Sequence, residues 1–162
     1  MQKSKQEGRQ FVYEIFTVFF ISISVLALLA WLLMPQLAGY LFPGFNTEEL
    51  AQTITLSRIM LLSPILLGVS NLFATITQSF KKFFVYAIAP VFYALGIIFG
   101  IVFFHPIFGL IGLGYGVILG AFLHMMIQVP VIVKHGLVPK FTRTIDWSHV
   151  RMIVGHSLPR TL

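Results

Sequence analysis

Five polar residues lie within or at the ends of long apolar segments, and they are the strongest candidates for chemistry in this sequence. They are Arg58, Asn71, Gln78, His124 and Gln128. Charged and amide side chains inside a membrane span usually face a partner on another helix or a water-filled path for a substrate. We therefore predict that these five residues belong to a substrate pathway. The alternatives are bonding between helices and, for Arg58, contact with lipid headgroups.

Catalytic chemistry has little support elsewhere in the sequence. The remaining histidines have no spaced acidic or cysteine partner that would favour a zinc site, and they are His105, His135, His149 and His156. No nucleophile elbow, phosphate-binding loop or dinucleotide fingerprint is present. The chain has no cysteine, which excludes disulfides and thiolate ligands. We predict no catalytic, metal-binding or cofactor-binding residue, and hence a protein that is not an enzyme.

The composition indicates what must position the polar residues. The chain has 162 residues, of which 57% are hydrophobic and only 10% are charged, and its mean hydropathy is +0.91. A water-soluble domain needs about a quarter of its residues charged, because its surface faces water. We therefore predict an all-α integral membrane protein whose partners are membrane lipids. The net charge of +6 is consistent with a membrane surface, and we expect no nucleic acid partner.

The apolar stretches are long enough for four transmembrane helices, since each must contain roughly 20 residues to cross the hydrocarbon core. We predict spans at about residues 15–34, 59–78, 83–104 and 107–133. Proline cannot continue a helix, so we expect the first span to stop near Pro35 and the third to end at His105-Pro106. The second helix should begin before its span, because Asn46 and Glu49 have the spacing of a capping box.

The distribution of basic residues predicts the orientation. Of 11 Lys and Arg residues, all but Arg58 lie in the first ten residues, in the connection between the second and third spans, or in the tail. Connections rich in Lys and Arg stay in the cytoplasm. We therefore expect both ends of this segment to lie on the cytoplasmic side.

The third and fourth spans carry glycines at four-residue spacing, which places them on one helix face. They are Gly96, Gly100, Gly112, Gly116 and Gly120. Missing side chains let another helix approach closely, so we predict that these glycines pack helices together. The alternative is that some of them let helices slide or bend during transport.

The tail differs from the spans. We predict a cytoplasmic tail with a short amphipathic helix within residues 134–157, and the opening of a further helix at residues 158–162. This pattern leads us to expect that the chain is part of a longer protein.

Several short motifs occur in a distinctive order over nearly the whole chain. They are Phe42-Pro43-Gly44-Phe45, Ser57-Arg58-Ile59-Met60, Lys82-Phe83-Phe84, Ala89-Pro90-Val91, the glycine-rich run at 109–120, Gln128-Val129-Pro130 and Leu158-Pro159-Arg160-Thr161-Leu162. In this order the sequence resembles the MurJ (MviN) lipid II flippases, within the multidrug/oligosaccharidyl-lipid/polysaccharide exporter superfamily. The chain departs from that family at Tyr93-Ala94-Leu95, where the family often has an asparagine.

The resemblance implies a position in a larger protein. The four helices would correspond to the third through sixth helices of a flippase bundle in the bacterial inner membrane, followed by the start of the seventh. The intact protein would carry undecaprenyl-pyrophosphate-linked peptidoglycan precursor from the inner to the outer leaflet by alternating access, as a step of cell-wall synthesis. The family's cavity arginines lie mostly on helices outside this sequence, so we expect this segment alone to be inactive.

Two alternatives stay open at this point. One is another polysaccharide-lipid or drug exporter of the same superfamily, which would differ in the charge of its cavity. The other is a small four-helix membrane scaffold. The oligomeric state is not predicted by the sequence.

Overall fold

The computed structural model describes the backbone of residues 2–142 and the side chains of residues 8–142. In this part of the chain every regular element is a helix. Four helical segments are long and apolar enough to cross a membrane: Gly8–Leu41, Thr47–Ser79, Phe83–Phe108 and Leu110–Lys134. The predicted all-α membrane fold with four spans is therefore confirmed. The predicted tail helix and the opening of a further helix lie outside the described residues, except for the stretch up to Thr142.

The first helix, α1, extends from Gln2 to Leu41 and is 40 residues long. The expectation that it would stop near Pro35 is wrong, because Pro35 lies inside the helix. A proline removes one backbone N–H, so the carbonyl of Trp31, four residues earlier, loses its helical donor. Arg58 supplies a replacement donor, as described below, and the helix continues for six more residues.

The second span consists of α2, Thr47–Met60, and α3, Leu62–Ser79, which are separated only by Leu61. The predicted capping box is present, since the Asn46 side chain accepts from the N–H of Glu49 at 2.9 Å and the Glu49 carboxylate accepts from the N–H of Asn46 at 2.9 Å. The interruption precedes Pro64, which cannot donate a bond to the Met60 carbonyl.

The third span contains α4, Phe83–Phe99, then a π-helical segment, Gly100–Phe104, and α5, His105–Phe108. The expected end at His105-Pro106 is wrong. In the π-helical turn the N–H of His105 bonds to the carbonyl of Gly100, five residues back, and Pro106 then lies in the first turn of α5, where no N–H is needed. The chain breaks instead at Gly109, whose φ of +60° and ψ of −141° suit glycine.

The fourth span therefore begins at α6, Leu110–Met126, three residues later than expected. It is interrupted at Ile127 and Gln128 and resumes as α7, Val129–Lys134. Pro130 lies in the first turn of α7, where its missing N–H costs no helical bond.

The helix α6 lies at the centre of the bundle and contacts α2, α3 and α4, while α1 packs against α2 and α3. Val69, Phe73 and Ile132 form the buried apolar cluster between α3 and α7, with Phe16 and Phe20 of α1 against it. About half of the other large apolar side chains are exposed, as expected for a surface that faces lipid.

Candidate functional site

Arg58, near the end of α2, is anchored to the neighbouring helix α1. Its Nε donates to the carbonyl oxygen of Trp31 at 3.1 Å, and its guanidinium carbon lies 4.2 Å from the centroid of the Trp31 ring. This is the carbonyl that Pro35 leaves without a helical donor. Arg58 therefore satisfies a backbone group of α1 and stacks on an aromatic ring of the same residue.

A groove of about 480 Å³ runs beside this pair, between α1 and the junction of α2 with α3. Its walls are apolar apart from Ser24 and Arg58. At 1.5 Å per residue, Arg58 lies about 30 Å along the helix from Gln78. The two candidate residues are therefore at opposite ends of the second span.

The polar residues of α3 point in two directions. Ser70 and Thr77 are fully buried, whereas Asn71 and Gln78 are exposed. Thr75, also exposed, uses its hydroxyl to donate to the Asn71 carbonyl at 3.1 Å. Asn71, Thr75 and Gln78 thus form a continuous exposed polar face of α3, while the buried pair faces the other helices of the bundle.

His124 and Gln128 of the fourth span meet Ser70. Gln128 Nε2 donates to Ser70 Oγ at 2.7 Å and to the His124 carbonyl at 3.0 Å, and Ser70 Oγ lies 2.6 Å from His124 Nδ1. Nε2 of Gln128 can only donate, so Ser70 Oγ accepts from it and forms a second hydrogen bond with His124 Nδ1. These three residues connect α3 to the fourth span across a buried contact.

Five glycines bring the backbones of the third and fourth spans into close contact. Gly96 faces the backbone of Gly120, Gly100 faces Gly116, and Gly112 lies against the backbone at Phe104. A methyl group added at Gly116 would lie 2.7 Å from the Cα of Gly100, a distance that requires the helices to separate. The absence of side chains therefore sets the distance between the third and fourth spans.

Two residues outside the five predicted candidates, Trp31 and Glu14, form contacts within the bundle. Trp31 fits a general aromatic belt by sequence, but its pairing with Arg58 spans 27 positions and depends on how α1 and α2 pack. Glu14 is fully buried on α1, and its carboxylate accepts from Gln10 Nε2 at 2.9 Å. An acidic residue in a membrane-spanning helix is a signal that the sequence did contain.

Within the described residues, no three side chains of the metal-binding types come together. The polar side chains instead form contacts between helices, at Arg58 and at Ser70, and one exposed face on α3.

The comparisons with known proteins agree with this architecture. The family model described as Lipid II flippase MurJ matches residues 1–162. A protein of Borreliella burgdorferi named probable lipid II flippase MurJ is 27% identical over 125 residues, which cover 77% of this chain and 24% of that protein. A protein of the same name from Buchnera aphidicola is 31% identical over 117 residues, which cover 68% of this chain and 22% of that protein.

The chain thus corresponds to roughly a quarter of the length of these curated relatives. The family model nevertheless covers every residue of it. This chain belongs to the lipid II flippase MurJ family.

Proposed function

We propose that this chain is a segment of a flippase that carries the lipid-linked peptidoglycan precursor lipid II across the bacterial inner membrane by alternating access. The observation that carries the proposal is the match of the lipid II flippase family model to residues 1–162. Four apolar helical segments of membrane-spanning length support it. Family members are transporters, so the chemistry required is binding and conformational change.

We also propose the cytoplasmic orientation of both chain ends. The start of α1, the end of α3 and the end of α7 lie at one end of the bundle, where Arg9 packs against Gly136 and Lys134 is nearby. Lys81 and Lys82 follow α3 at the same end. Clusters of Lys and Arg in short connections favour the cytoplasmic side.

The substrate pathway is proposed to follow the exposed polar face of α3. Asn71 and Gln78 are exposed although they lie on a membrane-spanning helix, and a polar face is costly against lipid. We infer that this face meets the substrate path or further helices of the longer protein. Gln128 is fully buried against Ser70, so its place in the pathway, and that of His124, stays a prediction.

We further propose that these four helices alone do not transport. Alternating access requires two bundles that close in turn around a central site. A pyrophosphate crossing a low-dielectric region also needs cationic partners. Arg58 is the one Lys or Arg in residues 10–80, and it is already engaged with Trp31.

The test is complementation of a bacterial strain depleted of its own lipid II flippase. One plasmid carries this chain alone, and another carries a functional flippase in which the corresponding segment is replaced by this chain. We expect growth with the chimera and none with the chain alone. Growth with the chain alone would refute the requirement for further helices. A chimera that inserts into the membrane at normal levels but does not restore growth would refute the proposed function.

The same chimera tests the pathway. Replacing Asn71 and Gln78 together with leucine should abolish or strongly slow growth at unchanged protein level. Replacing the exposed Val91 of α4 with leucine is the control, because it changes an apolar outward-facing side chain only slightly. Normal growth of the double variant would contradict the pathway along α3.

A further inference from the structure

A basic pocket of about 620 Å³ lies where the start of α1 meets the ends of α3 and α7. Its polar lining is formed by Arg9, Ser79, Lys134 and His135. No carboxylate lines it among the residues whose side chains the structure describes. The pocket therefore concentrates positive charge at one end of the bundle, at the level where membrane helices meet headgroups.

The shape of the pocket depends on local features of the chain. The turn after α7 has Gly136 at φ +64°, and a Cβ at this position would lie 2.7 Å from Arg9 Nη2. The missing side chain at Gly136 leaves room for the Arg9 guanidinium against this turn. The His135 ring is stacked on Phe80 with 3.7 Å between centroids, and its Nδ1 donates to the Val131 carbonyl at 2.8 Å. The wall of the pocket is thus fixed by packing and by a hydrogen bond.

The basic pocket continues into an apolar groove along α1 and α3. Val12 and Ile76 line both, and the groove has a volume of about 120 Å³ with Ile15 and Leu72 in its walls. Cationic groups at a helix end next to an apolar groove match the two parts of a phospholipid. A soluble phosphate would use only the basic part.

We propose that the basic pocket binds the phosphodiester headgroup of an anionic phospholipid such as phosphatidylglycerol, with the first carbons of one acyl chain in the groove between α1 and α3. Arg9 and Lys134 contact the phosphate, because guanidinium and ammonium groups form charge-assisted hydrogen bonds with its oxygens. Basic pockets between membrane helices favour anionic headgroups. A zwitterionic lipid brings a cation of its own that the pocket repels. The proposal is independent of lipid II transport and of which leaflet supplies the lipid.

The experiment is native mass spectrometry of the 162-residue chain, purified in detergent and titrated with phosphatidylglycerol or phosphatidylcholine. We expect one phosphatidylglycerol to bind at least tenfold more tightly than phosphatidylcholine. Arg9→Gln and Lys134→Gln should each weaken phosphatidylglycerol binding about fivefold, and the double variant by more than either. The exchange pair Arg9→Lys with Lys134→Arg preserves the charges and should retain most of the binding.

Lys82→Gln is the matched control, because Lys82 is exposed near the same end of the bundle, does not line the pocket, and the substitution removes the same charge. It should change the affinity less than twofold. An equal loss in this control would overturn the proposal in favour of non-specific attraction. Equal binding of the two lipids would also overturn it. Glycerol phosphate, titrated separately, should bind far more weakly, and binding as tight as that of the lipid would assign the pocket to a soluble phosphate instead.

Discussion

Arg58 donates from Nε to the carbonyl oxygen of Trp31 at 3.1 Å and stacks its guanidinium on the ring of the same residue. Pro35, four residues after Trp31, cannot donate to that carbonyl. An unsatisfied backbone group within a membrane is costly, so the replacement donor stabilises α1 where it continues through the proline. Arg58 therefore has a structural role that is sufficient to explain its presence without a substrate.

The first prediction tests this role with a double-mutant cycle between Arg58→Met and Pro35→Ala. In the wild-type background Arg58→Met should destabilise the protein by about 1–3 kcal/mol, since it leaves the Trp31 carbonyl unpaired. In the Pro35→Ala background the helix supplies its own donor, so only the ring contact is lost, at about 0.5–1 kcal/mol. Chemical unfolding in mixed micelles measures both costs. Equal costs in the two backgrounds would show that the arginine does not compensate for the proline.

The second prediction concerns the contact between the third and fourth spans. Gly116→Ala should destabilise the protein by about 1–3 kcal/mol, because the added methyl group meets the backbone of Gly100 and forces the helices apart. Gly39→Ala is the matched control, since Gly39 lies in α1 with no atom within 4 Å of its added methyl group. That change should be neutral or slightly stabilising, because alanine favours helix. A similar midpoint of thermal denaturation for the two variants would contradict close packing at Gly116.

Much of the fold was accessible from the sequence, because apolar length is the dominant signal in a membrane protein. The number of spans and the capping box at Asn46 followed directly from residue pattern. Both errors in helix ends came from prolines. A membrane helix can continue through a proline, as α4 does at Pro90. The features that accompany the other two prolines, the Arg58 donor at Pro35 and the π-helical turn before Pro106, are tertiary or irregular and do not follow from residue pattern.

The candidate site was less predictable for a geometric reason. Ser70 and Asn71 are adjacent in sequence, yet one is buried against His124 and the other is exposed. Successive residues on a helix point about 100° apart, so a polar cluster in sequence divides between faces. Which face is covered depends on how α6 and α1 pack around α3, and hydropathy contains no information about that.

The third prediction concerns the orientation. The chain has no cysteine, so single-cysteine variants give clean labelling. Glu48→Cys should react with a membrane-impermeant maleimide added to intact spheroplasts, because it lies at the start of α2, which the proposed orientation places on the outer side. Lys81→Cys, in the short connection after α3, should react only after the membrane is permeabilised. Equal labelling of both positions from outside would refute the proposed orientation.

The fourth prediction concerns the buried contact of Ser70 with His124 and Gln128. Ser70→Ala removes the acceptor for Gln128 Nε2 and the hydrogen-bond partner of His124 Nδ1. Hydrogen bonds between membrane helices contribute about 0.6 kcal/mol on average, whereas a buried group left unpaired costs about 1–3 kcal/mol. We expect Ser70→Ala to destabilise the protein by about 1–3 kcal/mol, because Gln128 is fully buried. Ser79→Ala on the same helix is the control, since its exposed hydroxyl bonds only to the Thr75 carbonyl.

Gln128→Leu should then make Ser70→Ala less costly, because the amide that required a partner is gone. Additive effects of Ser70→Ala and Gln128→Leu on unfolding in micelles would show that the hydrogen bond between them does not stabilise the protein.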